Sequence, residues 1–416
     1  MPKKQTTGKY FSYFISFFQW FVVAIVIGLV CGLVGSGFHL AVNAVTSIRA
    51  QHRWLIYLLP AAGLLITALY RLTKTEGRGT NDVILSIRED RPLPVLLVPA
   101  IFISTVLTHL TGGSAGREGA ALQIGGGIGC YIGRLFRSDD KRSRTMTLCG
   151  MSAVFSALFG TPLTAVLFAL EVASVGAVQY YAFVPCLTAS LTAYFISELF
   201  GLMPERYLFA VQDTHPVTML RVAGLAVCIA LCGILFCEAM HLTEKAAHKI
   251  KNAYLRAFIG GCLVLGFTLL LGSDTYNGAG SGVILAAIEQ GSAPAFGFLF
   301  KLLFTAVTLG FGFKGGEIVP IFFAGACLGC AVGPLFSLPA GFAAALGMVG
   351  LFCSAVNCPV ASIILSVELF GENGLLYFAL VAGICYVLSG YFGIYTSQHI
   401  VFSKTDPEYI DRLTRK

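Results

Sequence analysis

Apolar segments follow one another along almost the entire chain, with short polar connections between them. The clearest are mostly apolar runs at residues 21–42, 54–69, 93–110, 181–202, 217–236, 257–271, 298–312, 335–352 and 375–392. An α-helix needs about 20 predominantly apolar residues to cross a bilayer. The pattern therefore predicts an all-α polytopic membrane protein.

A second set of apolar segments is interrupted by glycine and proline, at residues 112–137, 145–172, 277–291, 314–333 and 346–370. Many of their pieces are shorter than the ~20 residues of a full crossing. Irregular backbone at membrane depth is tolerated where protein surrounds it, so these pieces predict tilted and discontinuous helices that meet inside the molecule. Glycines spaced four residues apart, at 125, 129 and 133 and again at 325, 329 and 333, predict closely packed helices.

Three pairs of segments match in order between the two halves of the chain. Residues 77–85 resemble 278–285, and 116–120 resemble 316–320. In the third pair five identities are separated by 197 positions, namely Gly150/Gly347, Met151/Met348, Phe155/Phe352, Pro162/Pro359 and Glu171/Glu368. The matches predict two homologous repeats, at about 20–205 and 215–400, within one transmembrane domain that spans 1–416.

Such repeats predict where an anion would bind. Transporter repeats are commonly inverted, with discontinuous helices whose N-termini meet near the bilayer midplane. A helix N-terminus carries about half a positive charge and several unpaired N–H groups, so it attracts anions. One glycine-rich break in each repeat therefore predicts a buried anion site at the repeat interface.

Composition and charge agree with a membrane location. Hydrophobic residues make up 56% of the chain and charged residues only 12%, against about a quarter charged in soluble domains. The net charge of +7 is concentrated at the two termini and in residues 134–144 and 245–256, the terminal cations being Lys3, Lys4, Lys9, Arg412, Arg415 and Lys416. By the positive-inside tendency, we expect an integral protein of the cell membrane with both termini cytoplasmic and an even number of crossings.

The charge also suggests contact with anionic lipid, and it does not suggest nucleic-acid binding. No cleavable signal peptide is evident. The thirteen cysteines lie almost entirely in apolar segments, where Cys behaves as a small hydrophobe. Cys327 and Cys330 form a lone Cys-x-x-Cys pair without a second pair, so we expect no metal and no cofactor. Residues 112–116 fit the Gly-x-Ser-x-Gly pattern of hydrolases, but that pattern needs a strand-to-helix elbow, and we do not expect an enzyme.

Glu118 lies in the segment Gly-Arg-Glu-Gly-Ala at 116–120, next to a long apolar run. Burying its charge there costs free energy. This segment, with Gly77 to Asn81 and Gly316 to Pro320, resembles the three signature stretches of the CLC family of chloride channels and proton-coupled anion transporters. Gly-Thr-Pro-Leu and Phe-Ala-Leu-Glu, within 160–171, extend the likeness. The resemblance covers most of residues 20–400.

The resemblance implies the CLC fold, with two inverted-topology repeats, and a homodimer with one pore in each protomer. It implies a halide anion and protons as the transported partners. Carried over residue by residue, Glu118 is the gating and proton-accepting glutamate, and the anion site is formed by Arg78, Gly79, Thr80, Gly116, Arg117, Gly119, Gly316, Ile318 and Val319. Tyr395 is the favoured inner gate, and Tyr391 is second. No cytoplasmic nucleotide-sensing domain is expected, because the chain ends soon after these tyrosines.

Several departures from the family pattern bear on the transported ion. The serine that contacts the anion in chloride members falls at Arg78, or at Thr80 if the register slips. Ala120 replaces a proline, and the internal proton-transfer glutamate of the chloride/proton exchangers falls at Val172. Glu317 places an additional carboxylate in the third stretch, which resembles the fluoride-exporting branch, although that branch usually has Thr where Val319 stands.

These features lead to a hypothesis with defined alternatives. Ionised Glu118 occupies the anion position and protonated Glu118 leaves it, which favours a proton-coupled antiporter that exports fluoride. Glu317 is the candidate second proton carrier, and the alternative is that it pairs with Lys314 at the pore mouth. A passive chloride channel and a chloride/proton exchanger remain as alternative functions. We expect Arg117 to be mainly a structural partner of a carboxylate, and Glu171 and Glu368 to cap or pair within the architecture.

Overall fold

The computed structural model describes residues 4–89, 92–136 and 139–414, with side chains from residue 13 onward apart from that of residue 140. Lys3, Arg415 and Lys416, which contributed to the predicted charge distribution, lie outside the described residues, as does Arg137 in the 134–144 segment. Within the described part, sixteen α-helices account for most of the chain, which confirms the predicted all-α class.

The helices form two consecutive runs of eight. The first run consists of α1 Lys4–Gln51, α2 Leu59–Leu72, α3 Thr80–Arg88, α4 Leu97–Leu110, α5 Glu118–Leu135, α6 Asp140–Phe159, α7 Pro162–Val172 and α8 Phe183–Leu199. The second consists of α9 Pro216–Ala247, α10 Ala253–Leu271, α11 Ser281–Glu289, α12 Gly297–Gly310, α13 Ile318–Val332, α14 Ala340–Val356, α15 Pro359–Phe370 and α16 Leu375–Leu388. The first helix is the longest in each run, and the third is the shortest, with nine residues in both. The repeat bounds given above stay a prediction.

By length and composition, six of the described helical segments could cross a membrane: Tyr13–Gln51, Arg53–Leu72, Tyr180–Leu199, Pro216–Ala247, Ala253–Leu271 and Ile318–Phe336. Further apolar helices have 10 to 17 residues, as the interrupted segments predicted. The 335–352 segment is not one span, which corrects the expectation from hydropathy. A 3₁₀ turn at Gly333–Phe336 is followed by Ser337 at φ 55°, and α14 begins only at Ala340.

The glycine spacings bring two helix pairs into backbone contact. A Cβ added to Gly125 of α5 would lie 2.1 Å from the carbonyl oxygen of Gly150 in α6. In the second repeat, a Cβ on Gly325 of α13 would lie 2.3 Å from the carbonyl oxygen of Gly347 in α14. Only glycine permits such an approach, so the same device positions the two helices whose N-termini form the site described below.

Glu171 and Glu368 cap each other's helix. Glu171, near the end of α7, accepts hydrogen bonds from the backbone N–H groups of Val360 (3.3 Å) and Ala361 (2.9 Å) at the start of α15. Glu368, near the end of α15, accepts from Leu163 (2.9 Å) and Thr164 (2.8 Å) at the start of α7. A carboxylate at a helix N-terminus satisfies unpaired donors and complements the helix dipole. The capping role expected from their matching positions is confirmed.

A small sheet was not predicted. Its strands are β1 Ser174–Val175, β2 His399–Phe402 and β3 Tyr409–Leu413, with β1 parallel and β3 antiparallel to the central β2. The sheet attaches the C-terminal segment to the connection after α7. Two-residue strands such as β1 leave no periodicity in a sequence, which is why hydropathy could not indicate them.

Candidate functional site

The two glycine-rich breaks meet in the middle of the molecule. Gly116 and Gly316 exchange two backbone hydrogen bonds, from Gly116 N to Gly316 O at 2.7 Å and from Gly316 N to Gly116 O at 2.8 Å. Helix α5 begins two residues after the first glycine and α13 two residues after the second. Two helix N-termini, one from each repeat, are therefore directed to one point. Because both glycine amides are engaged in the bridge, neither donates to an anion in this arrangement.

Glu118 fills the position between these helix ends. Its side chain is completely buried, and its Oε2 accepts a hydrogen bond of 3.2 Å from the backbone N–H of Val319 in the first turn of α13. Its Oε1 is buried without a hydrogen-bond partner among the described residues. A Cβ on Gly116 would lie 2.1 Å from Oε2, so glycine is needed there to admit the carboxylate. The side chain of repeat one thus occupies the anion-attracting terminus of repeat two.

Matching threonines hold the two segments that lead into the site. Ser114 N donates to Thr308 Oγ1 at 3.1 Å, and Lys314 N donates to Thr108 Oγ1 at 3.4 Å. These pairs are 200 positions apart in both donor and acceptor, as expected for related repeats. The reciprocal contacts fix the approach to each helix N-terminus from the opposite repeat.

Glu317 lies beside this crossing at the N-cap of α13. Its Oε2 has no hydrogen-bond partner among the described residues, and a Cβ on Gly119 would lie 3.2 Å from it. The salt bridge to Lys314 considered above is not present within 4.0 Å in the described part of the chain. The Lys314 ammonium lies instead 4.4 Å from the centre of the Tyr70 ring. Glu317 is therefore a carboxyl group beside the first turn of α5 that forms no ion pair within 4.0 Å among the described residues.

Thr80 contacts the first turn of α5, whereas Arg78 pairs with Asp82 of α3. Thr80 is buried at the start of α3, its Oγ1 donates to Gly119 O at 3.4 Å, and it accepts from Gln123 Nε2 at 3.1 Å. Arg78 pairs with Asp82 at 2.6 Å, with 41% of its side chain exposed. Gly79 N donates to the same Asp82 carboxylate. These contacts favour Thr80 as the residue of this stretch beside the start of α5, and its role at an anion site stays a prediction.

Gln123 was missed by sequence reasoning, although a signal existed. It is a polar residue within the otherwise apolar and glycine-rich run of α5, it is 4% exposed, and its Oε1 has no described partner. Its side-chain amide connects α5 to Thr80. Together they provide a hydroxyl and an amide beside the first turn of α5.

Tyr395 is the better-placed of the two candidate tyrosines. It is 2% exposed, its hydroxyl has no described partner, and it lines the same cavity as Glu317. Tyr391 instead donates its hydroxyl to Ser403 Oγ at 3.3 Å, and its ring lies 4.5 Å from the Arg412 guanidinium. The hydroxyl and the ring of Tyr391 therefore contact residues of the C-terminal segment.

An open cavity of about 540 Å³ leads away from Glu317 and Tyr395. Its walls carry charged residues of both signs, and those nearer the loop after α9 include Glu244, His248, Lys251 and Arg256. Thr80 and Gln123 also line it. The cavity therefore reaches Glu317 and the polar side chains that flank the start of α5.

Arg117, directly before Glu118, forms an ion pair with a carboxylate. Its Nη2 lies 3.3 Å from Glu205 Oε1 and its Nη1 lies 3.3 Å from Asn43 Oδ1. Only 11% of its side chain is exposed. These contacts agree with a structural partner of a carboxylate, and Glu205, in the connection between the repeats, is a partner that sequence spacing could not identify.

Comparisons with known proteins agree with this geometry. Residues 62–390 match the family described as voltage gated chloride channel. A chloride/fluoride channel protein of Pseudomonas syringae pv. tomato is 36% identical over 93% of this chain and 87% of its own length. The H(+)/Cl(−) exchange transporter ClcA of Yersinia pestis is 26% identical over 84% of this chain and 79% of its own length.

Among solved structures, a CLC-type fluoride/proton antiporter superposes with a TM-score of 0.88 at 32% identity, covering 91% of this chain and 97% of the other. This likeness extends over both repeats and the site between them. The inverted-repeat architecture expected from the motifs is therefore confirmed. The chain belongs to the voltage gated chloride channel, or CLC, family.

Proposed function

We propose that the protein transports a halide anion across the membrane and that it exports fluoride in exchange for protons. The observation that carries the proposal is the contact between the Glu118 carboxylate and the Val319 amide at the N-terminus of α13. This side chain occupies an anion-attracting helix terminus and loses its charge when it is protonated. The similarity to a fluoride/proton antiporter at 32% identity supports the same assignment.

The exchange follows from competition for one position. Ionised Glu118 is held by the helix terminus and excludes the anion. Protonation removes the charge that the terminus attracts, the side chain leaves, and the halide binds to the free amides of Ile318 and Val319, with Thr80 and Gln123 nearby. When Glu118 loses its proton it returns and displaces the anion. Anion and proton therefore use the same place in turn, which couples their movements in opposite directions.

Glu317 provides the connection to the cavity. It lines the cavity, lies beside the first turn of α5, and has an oxygen without a partner among the described residues. An ionisable group inside a membrane protein is costly, and such groups commonly form proton relays. In this proposal Glu317 carries the proton between the cavity and Glu118, and Tyr395 limits the inner side of the anion position.

The direct experiment uses purified protein in liposomes loaded with potassium fluoride. A fluoride electrode records anion efflux and a pH electrode records proton uptake in the same vesicles. The proposal expects fluoride efflux accompanied by proton movement in a fixed ratio, and chloride efflux that is at least tenfold slower. Efflux of neither halide would contradict it.

Two other functions have specific observations in their favour. A chloride/proton exchanger is suggested by the 26% identity to ClcA. A passive channel is suggested by Val172, which stands where the chloride/proton exchangers have their internal glutamate, and by the relative named a channel protein. Equal fluoride and chloride coupling would favour the first, and a reversal potential that does not change with pH would favour the second.

The proposal includes the cell membrane as the location, contact with its lipids, and cytoplasmic termini. It also includes a homodimer. Each protomer would have its own pore, because both helix N-termini of the site belong to one chain. With this orientation the cavity beside Glu317 opens to the cytoplasm. The orientation is tested with Lys251→Cys, by the reaction of the new thiol with impermeant reagents added from each side of the membrane. Light scattering of the purified protein tests the oligomeric state.

A further inference from the structure

Lys301, on α12, is a buried cation that the exchange scheme does not use. Its side chain is 0% exposed, and its Nζ donates to the carbonyl oxygens of Tyr276 (3.2 Å) and Gly278 (2.6 Å). No carboxylate of the described residues lies within 4.0 Å of it. A lysine inside the membrane is costly and marks a functional position by default.

The repeat architecture does not require this charge. Thr108 and Thr308 are equivalent in the two repeats, so the counterpart of Lys301, at the same offset of 200, is Ile101. Ile101 is fully buried in α4 and neutral. The cation is thus an addition to the second repeat, and it needs an explanation beyond helix packing.

The carbonyl groups that Lys301 binds belong to a loop that holds the segment before Glu118. Asn277 Nδ2 donates to Gly112 O at 2.8 Å, and Gly278 N donates to Gly113 O at 3.1 Å. The same face of α12 also carries Thr305 and Thr308, which contact the side chain and the amide of Ser114. Lys301 therefore supports the loop at residues 112–114, which leads to Glu118.

The helix α13 gives the distance to the anion position. The Lys301 ammonium lies 5.1 Å from the centre of the Phe323 ring. Phe323 is four residues beyond Val319, whose amide binds Glu118, and four residues of α-helix rise about 6 Å. The ammonium is consequently on the order of 10 Å from the Glu118 carboxylate, since the axial rise and the ring contact combine.

A second cation reinforces the first. Arg49, near the end of α1, packs its guanidinium against Gly112 and Gly278, which lie in the two hydrogen-bonded loops. A Cβ on Gly278 would lie 3.0 Å from its Nη2, and one on Gly112 would lie 3.3 Å from its Nη1. Its Nη1 is buried with no hydrogen-bond partner among the described residues. Unlike Arg117, which pairs with Glu205, neither cation has a carboxylate of the described residues within 4.0 Å.

We propose that Lys301 is an electrostatic specificity residue, whose positive charge, with no carboxylate of the described residues within 4.0 Å, increases the affinity of the helix-terminal site for small inorganic anions. Arg49 contributes in the same sense from the periphery. The carbonyl groups of Tyr276 and Gly278 solvate the ammonium without cancelling its charge, so its field extends to the anion position through a medium of low polarity. This inference rests on the proposed anion transport.

The test compares substitutions that separate charge from hydrogen bonding. In Lys301→Gln the side-chain amide still donates but the charge is lost, whereas Lys301→Arg keeps the charge. Fluoride exchange in liposomes is measured against fluoride concentration. We expect Lys301→Gln to raise the half-saturating concentration about tenfold, as one unit charge at this range provides, with a maximal rate within about twofold of wild type. Lys301→Arg should restore the half-saturating concentration, and Arg49→Gln should raise it about threefold.

Thr305→Val is the matched control, because it removes a buried contact to Ser114 from the same helix face without changing charge. It should leave the half-saturating concentration near the wild-type value. An unchanged value in Lys301→Gln, or an equal rise in Thr305→Val, would reduce Lys301 to a structural support. If Lys301→Gln does not fold, an unchanged value in Arg49→Gln overturns the inference. Wild-type protein that moves no halide would instead contradict the proposed function.

Discussion

In the proposed exchange Glu118 is the decisive residue, because its carboxylate lies at the helix terminus that the anion would occupy. Glu118→Gln keeps the size of the side chain and removes its charge. We expect anion flux to continue while proton movement falls to the background leak, since a neutral amide neither competes for the terminus nor carries a proton. Simultaneous fluoride and pH electrodes in liposomes measure both. Glu198→Gln, at an exposed position on α8, is the control, and proton transport at the wild-type level in Glu118→Gln would refute the scheme.

Glu317 yields a separate prediction at the same scale. If it relays protons between the cavity and Glu118, Glu317→Ala should lower the proton-to-fluoride ratio at least fivefold, because no other described carboxylate is placed at the N-cap of α13. Glu244→Gln is the matched control, since Glu244 lines the same cavity but belongs to the last turn of α9 and not to the N-cap of α13. Normal coupling in Glu317→Ala would assign Glu317 a structural role.

A substitution of Thr80 tests whether this residue, and not Arg78, contributes to the proposed anion site. Thr80→Val removes the hydroxyl that contacts both Gly119 O and Gln123 Nε2, and losing a buried hydrogen bond of this kind costs about 1 kcal/mol. We expect the half-saturating fluoride concentration to rise severalfold. Ser86→Ala on the same helix removes only a local bond to Val83 O and should have no effect. Identical affinities in the two variants would place the anion away from α3.

At the scale of helices, backbone contact between α5 and α6 positions the Glu118 terminus. A Cβ on Gly150 would lie 2.0 Å from the carbonyl oxygen of Gly125, so Gly150→Ala forces the helices apart, and overpacking of this kind costs about 1–3 kcal/mol. We expect a lower thermal midpoint in detergent and slower transport. Gly266→Ala, in α10 with nothing within 4 Å of the added atom, should keep or slightly raise the midpoint. Equal midpoints would show that the helix pair has room to adjust.

The helices and their glycine contacts could largely be predicted from the sequence. Hydropathy and interruptions by glycine and proline gave the helical class, and offsets of 197 and 200 residues gave the repeats. Motif positions gave Glu118 and Glu317, because burial of a carboxylate is costly and therefore conspicuous. Arg117's partner Glu205 could not be found, since it lies 88 positions away in a connection without regular structure. The choice between Arg78 and Thr80 likewise needed the direction of α3.

At the scale of the whole molecule, the side chain of Gln398, three residues after Tyr395, forms hydrogen bonds with both repeats. Its Nε2 donates to Val172 O at 3.0 Å and to Val356 O at 2.8 Å, while its Oε1 accepts from Asn357. Gln398→Leu should lower the thermal midpoint, because it leaves several buried polar groups unpaired at a cost of about 1–3 kcal/mol each. Thr405→Ala, at an exposed position of the following hairpin, serves as control. A midpoint equal to that of the control would show that the inter-repeat contacts of Gln398 are dispensable.

The two hydrogen bonds between Gly116 and Gly316 limit which motions can take part in transport. A transporter that alternates by rocking its halves would have to break this bridge at every turnover, at the place where the ion passes. If the bridge persists, the halves turn about a fixed pivot at most, and the moving parts are side chains and short segments. Such motions take picoseconds to microseconds, whereas collective domain motions take microseconds to milliseconds. The conformational steps of the proposed exchange would then fall within this faster range.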